Sequence, residues 1–124
     1  FENANKYLSM GSIVIFAAGT GNPLFTTDTA AALRAAEMKC DVILKGTLVD
    51  GIYDEDPKQN LKAKRYKVIN HSEILKKDLS IMDTAAIALA KENHLPIIVF
   101  SIVEPNTLVK VLYGEGCFTK VTPN

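Results

Sequence analysis

Three short apolar runs dominate what this chain can fold into. They are Ser12-Ile13-Val14-Ile15-Phe16-Ala17, Asp41-Val42-Ile43-Leu44-Lys45 and Pro96-Ile97-Ile98-Val99-Phe100. Each is apolar at consecutive positions, and most of those positions are β-branched. A strand of that kind must be covered on both faces, the condition of a parallel sheet between helices. The intervening segments fit. Thr27-Asp28 leads into an alanine-rich stretch at 29–38; a hydroxyl or carboxylate there is expected to cap a strong helix former. Runs 12–17 and 41–45, with that helix between them, predict one right-handed βαβ unit with parallel strands, closed by Gly46. Residues 1–10 read as the tail of a helix, and 72–77, 82–93 and 106–113 as further helices. Asp83 falls in the first turn of the second of these, and Gly114 closes the last. Residues 118–122 alternate weakly and are expected at a sheet edge. The expected fold is α/β: a three-layer αβα sandwich with a mostly parallel sheet, forming a single domain over 1–124.

The length of 124 residues fits one domain, and 48% apolar residues argues against whole-chain disorder. Fourteen basic against fourteen acidic side chains leave a net charge of +0, which is no footprint for nucleic acid or an anionic membrane. No apolar run approaches the roughly 20 residues of a membrane helix, and no segment reads as a secretory signal. Cys40 and Cys117 have no zinc-type spacing and form no disulfide framework. They are expected to be reduced thiols, which places the chain in the cytoplasm. The first residue is Phe1 rather than Met, so a fragment or processed piece is expected.

In open α/β sheets, ligands bind beyond the carboxyl ends of the strands. Three loops leave such ends, at 18–27, 46–56 and 101–105. The first carries Gly19 and Gly21, which let backbone approach a ligand, with Thr20, Asn22, Thr26 and Thr27 as polar groups. It runs into a helix N-terminus, which favours an anion. It is neither a P-loop nor a dinucleotide fingerprint, because no GK[ST] follows and Leu24 stands at the third glycine position. On spacing alone, a phosphate-binding loop and a plain glycine turn with an ordinary N-cap are both open. The acidic loop 50–56 fails the EF-hand pattern. Tyr53 reads as a half-buried ring, Asp56-Pro57 as a turn, and the basic residues at 58–67 as a solvated loop. Lys45, at a strand end, must either point into the ligand crevice or snorkel to solvent. His71 and His94 read as surface residues, and no metal ligands are assigned.

Three ordered motifs go further. Gly19-Thr20-Gly21-Asn22-Pro23-Leu24-Phe25-Thr26-Thr27-Asp28-Thr29-Ala30-Ala31 resembles the signature of bacterial uridylate (UMP) kinases, which are members of the amino acid kinase family. Asp41-Val42-Ile43-Leu44-Lys45-Gly46-Thr47, with Val49-Asp50-Gly51-Ile52-Tyr53-Asp54-Glu55-Asp56-Pro57, resembles that family's nucleotide-binding strand and loop. Met82-Asp83-Thr84-Ala85-Ala86 and Leu95-Pro96-Ile97-Ile98-Val99-Phe100 resemble its late helix and strand. The resemblance implies phosphoryl transfer from ATP to UMP in pyrimidine nucleotide biosynthesis, with Mg2+. It implies that Thr20, Gly21, Asn22, Pro23, Leu24, Phe25, Thr26 and Thr27 contact UMP. Thr47, Tyr53 and Asp56 match positions that hold ATP. Lys45 would neutralise charge on the transferred phosphoryl group, and Asp28 would orient lysine side chains. Asp50 and Asp83 are weaker, structural candidates.

Leu24 departs from the family's second phenylalanine. The chain matches only the family's C-terminal half and lacks its N-terminal phosphate-binding motif, so the site is expected to be incomplete and the chain alone inactive. A non-catalytic nucleotide-binding module, or a sister acetylglutamate or aspartate kinase, are the alternatives. The family's hexameric assembly and its regulation by GTP and UTP are implied for the whole protein, and an exposed half is expected to self-associate.

Overall fold

The structure, a computed structural model, describes residues 2–123. The elements in chain order are α1 (Glu2–Ser9), α2 (Thr27–Glu37), β1 (Ile43–Thr47), β2 (Val68–Asn70), α3 (His71–Lys77), α4 (Thr84–Glu92), β3 (Ile97–Ser101), α5 (Thr107–Leu112) and β4 (Phe118–Thr122). The sheet runs β1-β3-β4-β2. β1 lies parallel to β3 with Ile43 opposite Ile97, and β2 lies parallel to β4. The central β3–β4 pair is antiparallel, with Ile97 opposite Val121 and Val99 opposite Thr119.

Strand side chains alternate faces, so Ile97, Val99, Thr119 and Val121 share one face, and all four are buried. Helices α2, α3 and α4 cover it, and Ala32, Ala35, Ile74, Ala86, Ile87 and Ala90 join the strands in one core. The alanines allow α2 and α4 to pack closely. Burying each isoleucine here contributes roughly 1.5–3 kcal/mol. Phe100 turns to the opposite face, where α5 packs on β3 and buries Val111. The fold is α/β with helices on both faces of a mostly parallel sheet.

Four expectations need correction. Run 12–17 is not a strand: it pairs with nothing among the described residues, and Ile13 and Ile15 are 94% and 88% exposed. Strand character requires a ladder partner, which an apolar run does not itself supply, so the expected βαβ unit does not form. β4 is interior, and the three-residue β2 takes the edge. Gly46 lies inside β1 rather than closing it; a Cβ there would meet Ile102 Cγ2 at 2.5 Å.

The fourth correction concerns His71. It is wholly buried at the start of α3, and neither ring nitrogen has a hydrogen-bond partner. Burial lowers its pKa below the ordinary histidine value, while the main chain of Leu95 and Thr122 pulls more weakly the other way and Lys91 and His94 add to the lowering. A base with a depressed folded pKa contributes stability that is present above the unfolded value and lost as pH falls below it. Unfolding free energy should therefore fall below about pH 6.5, with this one group contributing a slope of at most ~1.4 kcal/mol per pH unit. Urea titrations across that range, on the parent and on His71→Leu, check this. An equal pH slope in the two proteins would count against it.

Candidate functional site

The site grows from the N-terminal turn of α2. The loop before it turns through left-handed backbone at Ala18, Gly19, Gly21 and Leu24, geometry in which the glycines carry little strain. Thr26, not Thr27 or Asp28, is the N-cap: its Oγ1 accepts from the amides of Asp28 at 3.1 Å and Thr29 at 3.4 Å. That frees Asp28, one residue into the helix, to pair with Lys45 of β1. Both side chains are about three-quarters buried, so the pair is screened less than a surface ion pair.

A second carboxylate meets the same turn. Asp83 is the N-cap of α4, not a first-turn residue, and accepts from the Ala86 amide at 2.7 Å. It also accepts from the hydroxyls of Thr26 and Thr29, the latter at 2.8 and 3.0 Å. Burial alone would raise its carboxyl, but the hydrogen bonds from Thr26, Ala86 and Thr29 hold it below the usual aspartate range.

Two concavities flank this turn in sequence. Thr20, Gly21, Asn22, Pro23, Phe25, Thr26 and Thr27 line an open cleft with Ala18 and Gly19. Leu24 is not among them; its side chain is fully exposed. A cavity of about 660 Å³ lies between loop 48–57, loop 101–104 and α5. Tyr53 lines it, and donates to Asp50 Oδ1 at 2.8 Å, a bond that pushes the phenol's pKa up. Thr47 and Asp56 sit beside the lining rather than in it. The Thr47 carbonyl accepts from the Ile102 amide at 2.9 Å, and Asp56 Oδ1 caps a turn through the Lys58 amide at 2.9 Å.

The loop wall is stapled to the sheet. Thr119 Oγ1 accepts from the Ile52 amide at 2.9 Å and donates to the Tyr66 carbonyl. Arg65 donates to the Phe118 carbonyl and faces Asp50 at 3.6 Å. Val103, from the strand-end loop 101–105, lines the cavity too, as do Lys110 and Cys117; no sequence motif marks the last two, because α5 and the 115–117 turn reach it only through tertiary packing. Asp50 and Asp83 had been set aside as structural; Asp50 lines the cavity and Asp83 meets the α2 turn. Among the described residues, no group of three His, Cys, Asp or Glu side chains is placed to hold a metal ion, and no helix is long and apolar enough to cross a membrane.

Comparison with known proteins places the chain in a family. The chain is 60% identical over 121 residues to the uridylate kinase of Bartonella bacilliformis, covering 98% of this chain and 51% of that protein. It superposes on the UMP kinase of Ureaplasma parvum with a TM-score of 0.93 at 43% identity, covering 98% of this chain and 52% of that one. For the UMP kinase of Bacillus anthracis the TM-score is 0.95 at 37% identity, with coverage of 99% and 51%. The chain spans about half the length of the curated relatives it matches. The model of the amino acid kinase family matches residues 1–101, a stretch that includes the glycine loop, the Asp28–Lys45 pair and β3. A match over that much of the chain makes it a member of the amino acid kinase family.

Proposed function

We propose that the chain is one half of a UMP kinase, a cytoplasmic enzyme that moves the γ-phosphoryl group of ATP to UMP, giving ADP and UDP. The observation that carries this reading is the Asp28–Lys45 pair, set between the helix turn after the open cleft and the strand leading to the cavity wall. Phosphoryl transfer needs positioning and charge stabilisation more than covalent chemistry. The positive end of the α2 dipole suits the UMP phosphate, and the threonines of 20–27 suit its polar edges. The cavity beside Tyr53, flanked by Thr47 and Asp56, suits ATP. Lys45 neutralises charge that develops on the group in transit, and Asp28 holds the ammonium in place before substrates arrive. Mg2+, when bound with the nucleotide, would neutralise phosphate charge, and none of these residue roles depends on it.

The test uses two proteins: the 124-residue chain, and a fusion of it with the half of the Bartonella bacilliformis relative that it does not match. The chain alone should give no UDP above background from Mg-ATP and UMP, and the fusion should give UDP. A thermal shift with ATP separates folding from binding, since about 100 Kd of ligand adds roughly 2.7 kcal/mol. ATP binding without transfer in the fusion would favour the non-catalytic module. Transfer to an amino-acid acceptor in preference to UMP would favour a sister kinase.

A further inference from the structure

The geometry points to Asp83 as a positioning residue for the acceptor nucleotide: it clamps the first turn of α2, and with it the end of loop 18–27, to the N-terminus of α4. This rests on the reading of that loop as the UMP site. One carboxylate serves two helices. Through Ala86 it caps its own helix, as an N-cap aspartate ordinarily does. Capping explains only that bond. The hydroxyls of Thr26, the α2 cap, and Thr29, in its first turn, 57 and 54 residues away in sequence, also donate to it. Thr26 is itself the cap of α2 and the last turn of the loop hangs from it, since its Oγ1 takes the Asp28 and Thr29 amides and its carbonyl takes the Ala30 amide.

The first turn of α2 is therefore held from two sides. Lys45 reaches it from β1 through Asp28, and Asp83 reaches it from α4 through Thr26 and Thr29. Thr29 is buried, so its hydroxyl would be left without a partner if the carboxylate were removed. None of the Asp83 contacts lies in the cavity assigned to ATP. The clamp should accordingly act on one substrate and leave the other alone.

The test compares D83N, D83E and T29V with the parent. In the 124-residue chain, amide hydrogen exchange at Asp28, Thr29 and Ala30 should quicken about tenfold in D83N, while the β3 amides keep their parent rates. Unchanged exchange at the α2 turn overturns the clamp, whether or not the functional reading holds. In the fusion, the KM for UMP should rise about tenfold in D83N, the scale of losing about one hydrogen bond of positioning, with the KM for ATP within twofold of the parent. D83E, which keeps the carboxylate, should recover part of that loss. An equal rise for both nucleotides overturns the positioning role. T29V keeps the α4 cap and removes one donor, so it decides the question if D83N does not fold. No UDP from the parent fusion overturns the functional reading and the UMP role together, and the exchange rates then judge the clamp by itself.

Discussion

Replacing Lys45 with methionine (K45M) in the fusion should lower kcat for UDP formation by about 10²–10³-fold, the usual consequence of removing one preorganised charge-stabilising group. The reasoning starts from where the ammonium sits. It projects from β1, is about one-quarter exposed, and is already bound to Asp28. A charge held in place in a partly dry site acts without reorganising at the moment of transfer. Methionine keeps the unbranched apolar stem and lacks only the terminal ammonium position, so the loss reports charge more than packing. The KM for each nucleotide should move far less than kcat, because the charge that Lys45 meets develops only in transit. D28N should produce a smaller fall, since it loosens the lysine without removing it. Steady-state kinetics with both substrates varied would show the split. A K45M protein that keeps kcat within a few fold of the parent removes Lys45 from the chemistry, and with it the observation on which the proposed function rests.

Much of the local backbone around the candidate site is legible in the sequence, and the reason is short-range. The glycines of 18–27, the capping threonines and the alanine run are dictated by short-range backbone rules, so loop and helix fall where expected to within a residue or two. The shift of the cap from Thr27 or Asp28 to Thr26 is small in sequence but large in consequence, because it releases Asp28 to meet Lys45. What could not be read was settled by partners distant in the chain. Asp83 looked like an ordinary first-turn carboxylate until α2 packed against α4. His71 sits in a polar stretch, and its burial follows only from its place at the start of α3. β2 is three residues long beside a basic loop, and it becomes a strand because β4 lies parallel to it. β4 alternates as an edge strand would, but its buried positions Thr119 and Val121 face the helices while β2 closes its flank.

The run at 12–17 misled in the most informative way, and it carries the second large prediction. Its pattern demands cover on both faces, but Ile13 and Ile15 are almost wholly exposed and Phe16 is nearly half exposed. β1 ends the sheet, so among the described residues its outer edge has no strand beside it. Six uncharged residues without proline, rich in β-branched side chains, in a chain that also carries an open sheet edge, are the composition of an association site. The 124-residue chain should therefore self-associate as its concentration rises, and Ile13→Lys with Ile15→Lys should weaken that association at least about tenfold, or ~1.4 kcal/mol. Sedimentation velocity over a concentration series measures both; a parent chain that stays monomeric throughout would sink the idea. The sign of the stability change then separates two causes. In the chain alone, the lysines replace exposed side chains and should change unfolding free energy by no more than about 0.5 kcal/mol. In the fusion, where the run's pattern calls for burial, the same substitutions should cost roughly 1.5–3 kcal/mol for each isoleucine. A pair of lysines harmless in one protein and damaging in the other would mean that the run is a strand whose partner lies outside these 124 residues.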